Sequence, residues 1–272
     1  MKVIGQRYPL VLMHGGPGLD YSTLLPLRPC ADQFTLISYD HRYNGRSGGT
    51  DVSAMTWENL TADADELRQT LGFDKWAVLG HSFGGMVALE YALRYPHRLS
   101  HLFLFDTCGD THWMQHNAPE ILAKRGYRAT AVQAARRFYN GQLSPREVFP
   151  SVLKFTSADF YQPKLLNLIH EVLFGPRVKM RPETLIFGFS KLLMGWMVMD
   201  RPSEIKVPTL VLAGRHDFLF SPAHQAILAD RLPIAQLKLI ELAGHNAHAE
   251  QSAKVIQSIR EFMAAVNQPV VR

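Results

Sequence analysis

The chain has 272 residues, 47% of them hydrophobic, enough for one large α/β domain with an insertion or for two smaller domains. The net charge is +5, but the basic residues are scattered, densest at Lys124, Arg125 and Arg128 and at Arg136-Arg137, and no nucleic-acid motif accompanies them. No apolar run approaches the ~18 residues that cross a bilayer, Met1 to Gly5 lack the apolar stretch of a secretory signal, and two cysteines, Cys30 and Cys108, fit a reduced compartment better than a disulfide framework. A cytoplasmic protein is therefore expected, with neither nucleic acid nor membrane as partner.

Tyr8 to Met13 is a short apolar run ending at a glycine cluster and reads as a buried strand. Phe34 to Tyr39 is a second, ending at Asp40. Thr56 to Leu71 carries Leu60, Ala64, Leu67 and Leu71 at helical spacing, with Gly72 as its stop. Lys75 to Leu79 is another buried strand, followed by a helix over Gly85 to Ala92 that Pro96 closes, and then by a strand from Leu99 to Asp106. Much later come a strand from Pro208 to Ala213, a helix from Pro222 to Leu232, a strand from Leu237 to Leu242 and a terminal helix from Ser252 to Val266. Short apolar strands alternating with helices predict an α/β fold, a mostly parallel sheet covered on both faces.

Between Asp110 and Asp200 this rhythm stops. Helical stretches such as Ala129 to Phe138 and Leu165 to Phe174 alternate with Pro145, Pro150, Pro163, Pro176 and Pro182. The segment reads as a helical lid, residues 110–200, inserted into a core made of residues 1–109 and 201–272. Most of its many Leu, Phe and Met side chains are expected to pack the lid on the core, and a minority to line a pocket.

Gly80-His81-Ser82-Phe83-Gly84 fits G-x-S-x-G and lies between a strand and a helix, the context that motif requires. A serine on so sharp a hairpin takes a strained backbone, and its neighbours two positions away must lack side chains. The new helix points its N-terminal amides at the hydroxyl. Ser82 is the candidate nucleophile. Functional groups of a parallel sheet gather at the carboxyl ends of its strands, and two more residues fall there: Asp217 after Leu210 to Ala213, and His245 after Leu242-Ala243-Gly244. A serine hydroxyl needs an imidazole to take its proton, and the imidazole needs a carboxylate to hold its tautomer.

The alternatives are weaker. His248 lies three residues further from its strand, and His216 and His224 read as makers of local loop bonds. Asp106, at the end of the Leu99 strand, is the alternative acid, whereas Asp230 lies late in a helix. For the oxyanion of acyl transfer, the amide of Phe83 directly follows Ser82, and Gly16 of His14-Gly15-Gly16-Pro17-Gly18 offers the second amide. His14 is expected to brace its own loop. The chain has neither a phosphate-binding G-x-x-x-x-G-K-[ST] loop nor H-E-x-x-H, so neither cofactor nor metal is expected.

Taken together, His14 to Gly18, Tyr39 to Ser47, Gly80 to Gly85, Gly214 to Asp217 and Gly244-His245 resemble the α/β-hydrolase superfamily, and within it the prolyl iminopeptidase-like branch. The resemblance implies the α/β-hydrolase fold and a serine hydrolase, without fixing the substrate, because esterases and amidases share these loops. Two features depart from it. Members usually begin with an antiparallel hairpin, but only Met1 to Arg7 precede Tyr8, implying a shortened N-terminal edge with at least one strand missing. A second subunit of a homodimer is one way to cover such an edge. Iminopeptidases also hold the substrate's amine with lid carboxylates, yet Asp110 to Asp200 contains seven acidic residues against twelve basic ones, with Glu171 and Glu183 as the carboxylates that could serve. The apolar lid better suits an uncharged acyl or alkyl group. The expectation is a carboxylesterase acting on a small-molecule ester. A prolyl iminopeptidase-type aminopeptidase is the alternative, and a ligand receptor without turnover the remote one.

Overall fold

In the computed structural model, which describes residues 1–49, 51–162 and 178–266, seven strands form a sheet. They are β1 (Lys2–Ile4), β2 (Tyr8–Met13), β3 (Phe34–Ser38), β4 (Trp76–His81), β5 (Leu99–Phe105), β6 (Thr209–Gly214) and β7 (Ala235–Ile240). The order across the sheet is β1-β3-β2-β4-β5-β6-β7. Every pairing is parallel except β1 with β3, where Lys2, Val3 and Ile4 face Ser38, Ile37 and Leu36. One short antiparallel strand thus stands where the resemblance implied a hairpin, and three residues are too few to leave a periodic signal in the sequence.

Strand alternation sorts the core into two layers. Val11, Met13, Val78, Leu102, Leu104 and Val211 face the layer containing helices α1 (Trp57–Thr70) and α2 (Phe83–Arg94). Leu10, Leu12, Leu79, Phe103, Phe105 and Leu212 face Leu24, Leu27 and the helix Ser252–Val266, through its Val255, Ile259 and Phe262. Strands buried on both faces appear in the sequence as unbroken apolar runs, which is why β2, β4 and β5 read clearly. The edge strand β7 is half-exposed and lies two residues earlier than expected. Leu242, which the sequence placed in it, takes a left-handed φ of 59° and points half its surface to solvent.

Between β5 and β6 the described chain is helical: α3 (Thr111–Lys124), α4 (Ala129–Tyr139), α5 (Pro145–Val152) and the short helix Pro182–Phe187. Two of the prolines that looked like breaks start helices instead. Pro145 and Pro182 sit in the first turn, where a missing amide costs nothing, and Ser144 with Glu147 closes a capping box on α5. The expected helix Leu165 to Phe174 lies outside the described residues. The two ends of this helical segment are joined to each other. Asp110 bridges to Met197, the Val198 amide donates to the Gly109 carbonyl at 2.8 Å, and the Thr111 hydroxyl donates to the Leu193 carbonyl at 2.6 Å. The Trp196 indole N–H then donates to Glu90 of α2 at 2.7 Å.

Candidate active site

Ser82 sits between β4 and α2 with φ 53° and ψ −120°, a left-handed conformation costly for a residue with a side chain. Packing imposes it: β4 must turn into α2 within one residue. A Cβ on Gly80 would overlap the Gly84 carbonyl, and one on Gly84 would overlap the Met13 carbonyl of β2. The bend is pinned from β5, because the Ser82 amide donates to the Phe105 carbonyl at 2.9 Å and the Thr107 hydroxyl donates to the Ser82 carbonyl at 2.7 Å.

His245 lies across from it. Its Nε2 is 3.0 Å from the Ser82 Oγ, and its Nδ1 is 3.0 Å from the Asp217 Oδ2. Asp217 turns its other oxygen to the amides of Leu219 (2.8 Å) and Phe220 (3.1 Å), so its carboxylate is fixed from both sides. Ser82, His245 and Asp217 are all buried. Burial alone would weaken the hold of His245 on a proton. Asp217, by charge and by hydrogen bond, with smaller contributions from Asp159 and Asp106, reverses this and raises its pKa above the ordinary value.

Residues set aside in the sequence have other partners. The Asp106 carboxylate accepts the Gly214 amide at 2.7 Å and the Ala247 amide at 3.3 Å, tying the end of β6 to the His245 loop. Its backbone is left-handed, with φ 43°. Burial and then the charge of Asp217 raise its pKa well above the carboxylate norm. His248 donates to the Thr23 carbonyl at 3.0 Å. The ring of His216 packs on Tyr161, with centroids 4.2 Å apart. His14 donates from Nδ1 to the Gly15 carbonyl at 2.7 Å and accepts the His41 amide at Nε2. Among the described residues, His81, Asp106 and His248 could present three ligand atoms within 4.8 Å of one another, but both Asp106 oxygens are already taken by amides.

The two amides considered for an oxyanion flank this group. Phe83 is the first residue of α2, so its N–H has no acceptor within its own helix. Among the described residues the Gly16 amide meets no acceptor. The loop bearing Gly16 is held by the Asn44 Oδ1, which accepts the Gly18 amide at 2.5 Å, and by the Gly18 carbonyl, which accepts the Arg181 amide at 2.8 Å.

A cavity of about 320 Å³ opens above Ser82 and His245, with Gly16 in its wall. Its other walls come largely from the helical segment between β5 and β6 and are mostly apolar, including Phe138, Val148, Phe155, Leu185 and Phe189. Among the described residues one carboxylate lines it: Asp159, whose Oδ2 accepts the Thr156 hydroxyl at 3.2 Å. Burial pushes Asp159 up to about 6 against the opposing charge of His245. Sequence reasoning passed Asp159 over, since it lies in a proline-broken stretch with no motif around it. Of the two carboxylates it named for this role, Glu183 is exposed and does not line the cavity, and Glu171 lies outside the described residues.

Residues 8–252 match the alpha/beta hydrolase fold family, and the chain belongs to it, in its prolyl iminopeptidase-like branch. It is 30% identical over 285 residues to a proline iminopeptidase of Clostridioides difficile, an alignment covering 97% of this chain and 94% of that one. Among solved structures it is similar to a proline iminopeptidase of Mycobacterium smegmatis, with TM-score 0.74, 23% identity and coverage of 97% and 93%. It is also similar to a thermophilic esterase from Thermogutta terrifontis, with TM-score 0.69, 26% identity and coverage of 98% and 93%. The protein is thus an α/β hydrolase. No helix among its described residues is long and apolar enough to cross a membrane.

Proposed function

We propose that this hydrolase cleaves carboxylic esters through an acyl-enzyme on Ser82. The observation that carries the reading is the hydrogen-bond chain from Ser82 through His245 to Asp217 at the floor of a mostly apolar cavity. Ser82 Oγ attacks the ester carbonyl as His245 Nε2 takes its proton, and Asp217 stabilises the imidazolium. The amides of Gly16 and Phe83 receive the oxyanion. Collapse of the tetrahedral species expels the alcohol with the proton returned by His245. Water, deprotonated by the same imidazole, then attacks the acyl carbon and releases the acid and free Ser82. Residues 110–200 act in this reading as the lid that walls the acyl site. The two buried free thiols, Cys30 and Cys108, are consistent with a reducing, cytoplasmic setting.

One observation favours a second reading, an iminopeptidase releasing an N-terminal proline: Asp159 could face a substrate ammonium, and relatives such as the one from Clostridioides difficile are named for that activity. Comparing p-nitrophenyl butyrate with proline p-nitroanilide on the wild type and Ser82→Ala separates the two. Ester turnover that exceeds amide turnover and vanishes in Ser82→Ala is expected. A strong preference for the anilide would replace the first reading with the second.

A further inference from the structure

The carboxylate of Glu250 accepts two backbone amides from distant parts of the chain. Its Oε2 takes the Gly244 N–H at 2.6 Å, and its Oε1 takes the Tyr161 N–H at 2.7 Å. Gly244 directly precedes His245, and Tyr161 follows Asp159 by two residues. The two segments also touch without an intermediary, because a Cβ on Gly244 would stand 2.6 Å from the Asp159 carbonyl oxygen. Only glycine allows that approach. The Tyr161 ring packs on His216, the neighbour of Asp217. An ionised carboxylate only accepts, and it has two oxygens to offer. Glu250 uses one for each segment, and hydrogen bonds of this charged kind are the short, strong ones.

We propose that Glu250 is a positioning residue that fastens the His245 loop to segment 159–161, so that the imidazole and the Asp159 carboxyl enter the cavity in a fixed relation. The inference rests on the reading of Ser82 as nucleophile and His245 as its base. It adds a coupling which that reading does not require. The insertion that walls the cavity is bolted directly to the loop bearing the base, and the bolt is one side chain outside the reacting groups. A shift of His245 of about 1 Å is enough to cost a large factor in rate, so loosening Glu250 should act on chemistry more than on binding.

Glu250→Ala removes both acceptors. Glu250→Gln keeps one oxygen but turns an N–H donor toward the other amide. Three quantities are read: hydrogen exchange at the Gly244 and Tyr161 amides, the rate of Ser82 labelling by a fluorophosphonate, and kcat and KM on p-nitrophenyl butyrate. In Glu250→Ala both amides should exchange at least ~10-fold faster. Labelling rate and kcat should fall roughly ten- to a hundredfold, with KM changed less than about threefold. Glu250→Gln should fall between this variant and the wild type, and it carries the test if Glu250→Ala does not fold. Unchanged exchange at the two amides overturns the proposal. So does faster exchange with labelling and kcat within about twofold of wild type, which would make the contact structural only. Labelling needs the nucleophile and its base but not the natural substrate. A wild type that labels normally yet ignores the ester therefore refutes the ester reading and leaves this one standing on exchange and labelling.

Discussion

The imidazole of His81 lies 3.0 Å from the carbonyl oxygen of His245, so the residue before Ser82 grips the backbone of the residue facing it. The two loops are thus joined twice, once through the Ser82 and His245 side chains and once behind them. Burial, followed by the nearby charges of His248 and His245, lowers the pKa of His81 well below the histidine norm. The ring stays neutral, with its Nε2–H directed at the carbonyl.

His81→Phe keeps an aromatic ring and removes that donor. A hydrogen bond of this kind is worth about 1 kcal/mol, and its loss should lower kcat about fivefold to tenfold through a looser His245 loop. Steady-state ester hydrolysis checks this; a variant with wild-type kcat means the contact does not position the base.

Ser82→Ala and Asp217→Asn should each reduce kcat by about 10⁴ or more. They differ in pH dependence. In the proposed mechanism His245 serves as base only when neutral, so the rate should rise as pH climbs through its raised pKa. Burial opposes that raising and Asp217 is its main source, so Asp217→Asn should move the acid limb of its residual activity to lower pH. A pH–rate profile in which the limb stays in place would remove Asp217 from this role.

Asp159→Asn should leave ester kcat/KM within about threefold of wild type while cutting turnover of proline p-nitroanilide about tenfold. In the wild type, burial sets the Asp159 pKa to about 6, so the carboxylate is largely neutral at pH 5 and charged at pH 7. The ratio of anilide to ester turnover should therefore rise across that interval, and Asp159→Asn should flatten it. An equal rise in the variant would mean that another group meets the amine.

Gly84→Ala drives a methyl into the Met13 carbonyl, an atom of the sheet that cannot rotate away. Overpacking of this kind costs about 3 kcal/mol, or roughly 6–12 °C of melting temperature. Calorimetry and fluorophosphonate labelling should fall together. A stable, fully labelled variant would mean that the elbow tolerates more room than its packing indicates.

Much of this architecture could be read in the chain because burial leaves local traces. β2, β4 and β5 are covered on both faces and therefore appear as unbroken apolar runs, and Ser82, Asp217 and His245 each follow a strand's carboxyl end. β1 is too short to carry a period, and β7 is exposed enough that its apolar residues do not mark its ends. Asp159 and Glu250 left no trace for a different reason. Asp159 matters through the cavity it borders, and Glu250 through amides six and eighty-nine residues away, and backbone amides carry no sequence signature.

Asp110 and Met197 stand side by side at the two ends of the helical segment between β5 and β6. A segment spliced in through so narrow a doorway can change its length and composition without disturbing the strands beneath. On the proposed reading, substrate preference can then change through the roof while the floor that holds Ser82 and His245 stays as it is. By the same logic, a graft of a relative's roof between Gly109 and Val198 is the natural way to redirect it.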